Sequence, residues 1–342
     1  MHKKLIALAV AGLVAAPAMA QSNVTIYGLV DVGVSYRGDN IAPGVGSKFS
    51  VDSGIQSGNR LGFKGTEDLG NGLKAGFVLE TGFGIEQPEF RNGSAFGRQA
   101  FVTLSGGFGT LAVGRVYTPQ FNLLSSVDPF GLFGTVGQMS NLYETNVRVD
   151  NTVAYISPSF SGLTVTAAYV NNLSGAETAG NDNDTRVFAL SPVYKNGPIL
   201  LGLNYHKIDP QAAGSPSQDV WDLAGSYDFG VAKVAAAYGY REVNATDERN
   251  SWMLGVTVPV SGAGRVLASY NYTKLDVSGT SVDPKSTQWA IGYVHDLSKR
   301  TNLYVAYADI SNKKGATASV GDASNGGAGY QSGFNIGIRH KF

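Results

Sequence analysis

The sequence predicts an all-β fold, a sixteen-stranded antiparallel transmembrane β-barrel, and three observations favour it. Segments of about ten residues, the length of a tilted membrane-crossing strand, alternate between apolar and polar or small side chains. The connections between these segments are short and long in turn, as expected when the two ends of a barrel face different compartments. The chain also ends on such a segment. In lipid, closing the sheet into a barrel leaves no unpaired backbone edge.

Residues 1–20 have the three-part form of a secretory signal peptide. Lys3 and Lys4 precede an apolar run over residues 5–16, and the small residues Ala18 and Ala20 close the segment. The run is too short to be a stable membrane anchor. We therefore expect cleavage before Gln21, which leaves residues 21–342 as one barrel domain.

Charge and cysteine content exclude two classes of protein. Without the two lysines of the signal peptide, 24 basic side chains stand against 26 acidic ones, a formal charge of −2. Nucleic-acid binding requires a basic surface, and no run of Lys or Arg supplies one, so no nucleic-acid partner is expected. The chain has no cysteine, which excludes a disulfide framework in an exported protein.

The last ten residues alternate strictly between two kinds of side chain. Phe334, Ile336 and Ile338 take even positions, polar or small residues take odd positions, and Phe342 is the final residue. This pattern is typical of the signal that outer-membrane barrels present to their assembly machinery. The alternative interpretation is an edge strand of a soluble β-sandwich, although soluble proteins seldom end directly on a strand.

Reading the alternation along the whole chain gives sixteen strands, and barrels of 16 to 18 strands usually enclose an aqueous channel. Short turns rich in Gly, Asn and Asp join them at one end. The predicted strands are 23–36, 59–67, 73–84, 96–105, 110–117, 148–157, 163–172, 184–194, 199–208, 217–228, 231–241, 249–260, 264–275, 285–295, 301–311 and 331–342.

The mature sequence offers little for catalysis. It contains only His206, His295 and His340, and it lacks the Gly-x-Ser-x-Gly motif that presents a hydrolase nucleophile. The acidic stretch 181–184 lacks the Gly and distal Glu of an EF-hand calcium loop. We therefore expect no enzyme activity, no metal site and no cofactor.

Seven stretches resemble the general porins of Gram-negative bacteria, most closely those of beta-proteobacteria, and together they span the mature chain. They read VTIYGLVD (24–31), RLGFKGTEDLG (60–70), FGRQAFV (96–102), FGTL (108–111), YISPSFSG (155–162), GYVHDLSKRT (292–301) and GIRHKF (337–342). The long loops show no obvious match.

The resemblance implies an outer-membrane homotrimer of sixteen-stranded barrels that lets small hydrophilic solutes and ions diffuse through a water-filled pore. Its partners are then membrane lipid, those solutes and the barrel assembly machinery. It also implies that the third long loop, residues 118–147, folds inward and narrows the pore. Phe121 and Phe130 fit this, because a freely solvated loop does not need apolar side chains.

By the same resemblance, Arg60, Arg98 and Arg148 present basic groups from the barrel wall into the constriction. Fixed charge at the narrowest point of a channel sets its selectivity, because low-dielectric walls focus the field there. Asp128 and Glu144 are candidate acidic groups on the inward loop. Three arginines favour anions, while the overall charge of −2 argues against a strong preference; a solvated position or a salt bridge remains the alternative for each side chain.

Strand phase gives a partial check on these positions. Arg98 is opposite in phase to Phe101, so an outward Phe101 places Arg98 inside. Arg115 shares the phase of the apolar Leu111 and Val113 and should face lipid unless a β-bulge intervenes.

Two further functions stay open at this point. One is a barrel that acts mainly as an adhesin or receptor through its loops. The other is a substrate-specific sugar channel with an aromatic track along the lumen, for which Tyr27 and Tyr304 have the right phase. A measurement of bulk conductance distinguishes a general diffusion pore from both of these alternatives.

Overall fold

The computed structural model describes residues 23–132, 134–173, 175–177, 184–322 and 327–342, so the predicted signal peptide lies outside the described residues. Eighteen strand segments form one antiparallel sheet. They are β1 (Asn23–Asn40), β2 (Lys48–Ser53), β3 (Arg60–Gly70), β4 (Leu73–Phe83), β5 (Phe90–Arg91), β6 (Gln99–Gly106), β7 (Gly109–Tyr117), β8 (Arg148–Ile156), β9 (Leu163–Val170), β10 (Thr185–Asn196), β11 (Ile199–Pro210), β12 (Gln218–Asp228), β13 (Lys233–Glu242), β14 (Glu248–Pro259), β15 (Gly264–Asp276), β16 (Lys285–Asp296), β17 (Thr301–Lys313) and β18 (Tyr330–Lys341).

The eighteen segments occupy sixteen positions around a closed ring. β1 pairs with β2 along its second half and with β3 along its first half, so β2 and β3 share one position. β5 and β6 likewise share the position beside β4. β18 pairs with β1 and closes the barrel. The predicted sixteen-stranded barrel is confirmed. The sequence analysis missed two short strands, β2 with six residues and β5 with two.

The connections give the barrel two different ends. Turns of two to six residues (71–72, 107–108, 157–162, 197–198, 229–232, 260–263 and 297–300) form the short-turn end, and the longer connections, including 118–147, form the long-loop end. A short helix, α1 (Pro119–Ser125), and one 3₁₀ turn, Met139–Asn141, lie within 118–147. Neither is long and apolar enough to cross a membrane.

The strands have one apolar outer face and one inner face. On β13, Val234 and Tyr238 are 45% and 47% exposed, whereas the alternate residues Ala235 and Ala237 are buried inside the barrel. This two-residue period repeats from β10 to β18. A ring of outward apolar side chains on a closed sheet is what a bilayer requires.

The last residue completes the closure of the barrel. Phe342 and Gly28 exchange two backbone hydrogen bonds of 3.1 Å each. The aromatic ring of Phe342 lies over Gly28, where an added Cβ would come within 2.2 Å of the ring. Only glycine leaves room for this ring, so the pairing couples the first and last strands.

Gly28→Val is expected to displace the Phe342 ring and to weaken the junction between the first and last strands. Overpacking at a close contact typically costs about 1–3 kcal/mol. The temperature at which the folded band is lost in semi-native electrophoresis should therefore fall. Ala236→Val, which also adds apolar volume to the outer face of a strand, is the matched control and should leave that temperature unchanged; an equal fall in both variants would contradict the role of the ring.

Candidate functional site

A cavity of about 1080 Å³ lies between the barrel wall and the loop 118–147, at the long-loop end of β3 to β8. The strands β6 to β9 are only 8 or 9 residues long, whereas β10 to β18 have 10 to 13. Arg60 and Arg148 are the first residues of β3 and β8, and Arg98 directly precedes β6. All three predicted basic residues line this one cavity.

Arg98 is compensated by a carboxylate that the sequence pattern did not single out. Its Nε donates to Oε1 of Glu80 at 2.8 Å, and both side chains are buried. The other carboxylate oxygen of Glu80 accepts a hydrogen bond from the Tyr27 hydroxyl at 3.0 Å. Arg98 and Glu80 are therefore a buried pair with no net charge, formed between β4 and the residue that directly precedes β6.

Unlike Arg98, Arg60 and Arg148 have neutral hydrogen-bond partners. Arg60 Nε donates to the backbone carbonyl of Gly58 at 3.0 Å, and Arg148 Nη2 donates to the hydroxyl of Tyr117 at 3.3 Å. Within the described ranges, neither guanidinium forms an ion pair with a carboxylate. Both therefore contribute uncompensated positive charge to the cavity.

The phase argument for Arg98 was wrong, although the side chain does line the cavity. Phe101 faces inward, where it packs against Ala112, Ala154, Ala168 and Ala189. The regular alternation of β6 begins at Gln99, so the direction of Arg98 is set by the loop that precedes the strand. Strand phase cannot be extended past the end of a strand.

The irregularity anticipated at Arg115 is present. The pairing of β7 with β8 shifts register between Gly114 and Val116, and the opposing Asn151 has a positive φ of 48°. The Arg115 guanidinium bonds the carbonyl of Gly97 at 2.8 Å and pairs with Asp150. The bulge gives an otherwise lipid-facing arginine polar partners.

Loop 118–147 starts with a regular helix cap. The hydroxyl of Thr118 accepts a hydrogen bond from the backbone N–H of Phe121 at 3.0 Å, and Pro119 occupies the first turn of α1. From α1 onward, the loop is hydrogen-bonded to inward-facing side chains of distant strands. Gln120 Nε2 donates to Asp222 of β12 at 3.0 Å, Val136 N to Asn335 of β18 at 2.7 Å, and Gln288 Nε2 of β16 to the carbonyl of Gly137 at 3.0 Å.

Among the described residues, five inward-facing glycines each contact a side chain of this loop, and we call them the glycine sockets. At each one, an added Cβ would lie within 3 Å of the loop side chain, closer than atoms can approach. The pairs are Gly202 with Leu123 (2.3 Å), Gly239 with Tyr143 (2.0 Å), Gly255 with Pro129 (2.6 Å), Gly292 with Phe130 (2.8 Å) and Gly333 with Val136 (2.9 Å).

The two predicted acidic residues of the loop lie away from this cavity. Asp128 is buried, and its carboxylate accepts the backbone N–H groups of Phe130 (3.0 Å) and Met139 (2.8 Å). Burial raises the pKa of the Asp128 carboxyl to about 6, and its two backbone hydrogen bonds favour the ionised form and hold the loop backbone. Glu144 instead pairs with Arg241 at 3.2 Å and Arg249 at 2.5 Å.

The remaining candidate residues have local roles. Tyr27 and Tyr304 each donate to a carboxylate, Glu80 and Asp31 respectively, and do not form a continuous track. His206 is buried beside Asn204. In the part of the chain that the structure describes, no group of three or more His, Asp or Glu side chains is placed to hold a metal ion.

The chain is similar to known outer-membrane proteins over its whole length. A profile of the family described as Gram-negative porin matches residues 7–315. Outer membrane porin protein 32 of Delftia acidovorans is 34% identical and an outer membrane porin protein of Bordetella pertussis 33% identical, each over 100% of both chains. The solved anion-selective porin from Comamonas acidovorans is 31% identical, with a TM-score of 0.77 over 94% of this chain and 100% of its own. The chain therefore belongs to the Gram-negative porin family of the outer membrane.

Proposed function

We propose that this porin is a general diffusion channel for small hydrophilic solutes and ions, with a preference for anions. The observation that carries the preference is the pair of uncompensated guanidinium groups, Arg60 and Arg148, on one wall of the cavity. Arginine stays charged at any working pH, and a row of fixed positive groups attracts anions without one deep binding site.

The loop side of the cavity does not balance this charge. It contributes neutral side chains, among them Phe121, Ser125 and Leu132. In the remaining lining, Asp52 lies 3.5 Å from Arg37, and Glu86 and Glu89 share Arg91. With Lys48 included, the lining holds five basic side chains against these three acidic ones, so its net charge is positive. The solved relative that is named an anion-selective porin supports the same sign.

Single-channel recording of the refolded mature chain in planar bilayers tests the diffusion function. Stable unitary steps that scale with salt concentration, together with entry of small uncharged sugars into proteoliposomes, are expected. A correctly folded barrel without conductance would overturn the proposal in favour of an adhesin or receptor, or an outer-membrane enzyme. Conductance blocked by a single class of sugar would favour the substrate-specific channel.

Glu80→Gln is expected to raise the preference for anions. The amide keeps an oxygen for Arg98 Nε, and its NH₂ group can donate to the Tyr27 hydroxyl, so the geometry is retained while one negative charge beside the cavity is lost. The anion-to-cation permeability ratio from the reversal potential should increase. Glu67→Gln, an exposed carboxyl near the short-turn end, is the control; a ratio unchanged in Glu80→Gln would show that Glu80 does not influence the pore.

We further propose that the protein is a homotrimer whose interface includes the outer face of β2 to β7. Residues 37–116 contain neither Trp nor Tyr, the residues that form aromatic belts where a barrel meets the lipid headgroups. The outer face there carries aliphatic residues such as Val102 and Val113. An apolar face without the Trp and Tyr side chains of such a belt suits a protein neighbour better than lipid.

Site-directed spin labels test this interface, because the chain has no native cysteine. Val102 and Leu223 are 58% and 51% exposed in the single chain, on β6 and β12. In a trimer of the expected mass, a label at Val102→Cys should be shielded from oxygen dissolved in lipid, and a label at Leu223→Cys should be accessible. Equal accessibility, or a monomeric mass, would contradict the proposal.

Phe342 is proposed as the recognition signal for the barrel assembly machinery. Phe342 pairs with Gly28 through backbone hydrogen bonds, at the junction of the first and last strands. If the barrel closes by joining the two ends of its sheet, this junction forms last. Deleting Phe342 should reduce outer-membrane assembly in cells more than refolding in detergent. Equal reductions would indicate a role in stability alone.

A further inference from the structure

One phenol oxygen connects two of the three arginines. Arg98 Nη2 donates to the Tyr117 hydroxyl at 2.7 Å, and Arg148 Nη2 donates to the same oxygen at 3.3 Å. Tyr117 is the last residue of β7, which lies between β6 and β8, and it lines the same cavity. Arg98 directly precedes β6, and Arg148 is the first residue of β8. A phenol oxygen has the two lone pairs needed to accept from both guanidinium groups.

The ring of Tyr117 makes two further contacts. The guanidinium carbon of Arg148 lies 4.9 Å from the ring centroid, a cation–π distance. The other contact is with Phe121 of α1, whose ring is stacked at 4.6 Å between centroids and 20° between planes. Because Phe121 follows the Thr118 helix cap, Tyr117 also connects the arginine pair to the start of the inward loop.

Two adjacent guanidinium groups repel each other, and nothing in their own charge keeps both directed at the cavity. Glu80 fixes Arg98, but within the described residues Arg148 has no carboxylate partner. The hydroxyl and ring of Tyr117 are therefore the contacts that hold Arg148 against repulsion from Arg98. A long arginine side chain released from them would sample many rotamers.

We propose that Tyr117 is a specificity-determining positioning residue, which holds Arg98 and Arg148 side by side so that the positive charge of Arg148 stays fixed in the cavity. It acts through the arginines and does not itself carry charge. This inference rests on the proposed anion preference and names a residue that sets its strength.

Tyr117→Phe tests the proposal, because it removes only the hydroxyl and keeps the ring for Arg148 and Phe121. The anion-to-cation permeability ratio should fall by about two-fold, since each guanidinium loses a charge-assisted hydrogen bond. In an Arg98→Gln/Arg148→Gln background the same change should have no effect on the ratio. Tyr155→Phe, which removes a phenol bonded to the backbone of Phe108 outside the cavity, is the matched control.

Three results would overturn the positioning role. They are an unchanged permeability ratio in Tyr117→Phe when Arg148→Gln lowers it, the same loss in the Arg98→Gln/Arg148→Gln background, or an equal loss in Tyr155→Phe. A wild-type channel without anion preference would instead overturn the proposed function, and the specificity role with it. A crystal structure of Tyr117→Phe is independent of selectivity: separation of the two guanidinium groups supports positioning by the hydroxyl, and unmoved groups contradict it.

Discussion

Replacing both Arg60 and Arg148 with alanine is expected to abolish the preference for anions. These two guanidinium groups line the cavity without an ion-paired carboxylate among the described residues, and the side chains that the loop contributes to the lining are neutral. Low-dielectric walls focus the field of such charges across the narrow part of a channel, so the anion-to-cation permeability ratio should fall to about 1. Reversal potentials under a KCl gradient measure this ratio, and unitary conductance shows that the pore remains open.

A charge-neutral variant separates this effect from general damage to the wall. Glu80→Gln/Arg98→Gln removes a buried ion pair without changing net charge, so the ratio should stay close to that of the wild type. Removing Arg98 alone is a poorer control, because it leaves the buried carboxylate of Glu80 unpaired. If the neutral double variant lost the preference as fully as the Arg60→Ala/Arg148→Ala variant, the assignment of selectivity to uncompensated arginines would be wrong.

Filling a glycine socket is expected to enlarge the pore. Gly239→Val places methyl groups where the Tyr143 hydroxyl lies, only 2.0 Å from an added Cβ, so the tyrosine must leave. Tyr143 also donates to Asp222 at 2.8 Å, and this buried hydrogen bond is lost with it. Overpacking of this kind costs about 1–3 kcal/mol, enough to release one anchor of the loop while the barrel stays closed.

Unitary conductance and the size limit for uncharged sugars should both rise in Gly239→Val, with greater current noise. Ala236→Val lies on the outer face of the same strand and is the matched control, with no change expected. A second socket, Gly292→Leu, should act in the same direction by displacing Phe130. Wild-type conductance and size limit in both socket variants would show that the loop does not define the pore.

The strand pattern of this barrel could be predicted because a two-residue period is a local property of the sequence. The predicted strands 231–241 and 264–275 match Lys233–Glu242 and Gly264–Asp276 within two residues at each end. Prediction failed where the period is interrupted. β5 has only two residues, and the side-chain direction at Arg98 is set by the loop before β6.

The chemistry of the site depends on contacts between residues that are distant in sequence, and period and composition do not show these. Glu80 reaches Arg98 across neighbouring strands, and the Tyr117 hydroxyl brings Arg98 and Arg148 together. The resemblance to Gram-negative porins pointed to the three arginines but not to these partners. The sequence shows that residues such as Gly239 and Gly292 are glycines, but only the fold shows which side chains of the loop pack against them.

The reversal potential of the wild-type channel, measured in planar bilayers under a KCl gradient, decides whether the pore prefers anions. A potential of the sign set by chloride, which moves toward zero in Arg60→Ala/Arg148→Ala, is the predicted result. A potential of zero, or one of the sign set by potassium, from open wild-type channels would contradict the proposed selectivity and leave an unselective or cation-preferring porin.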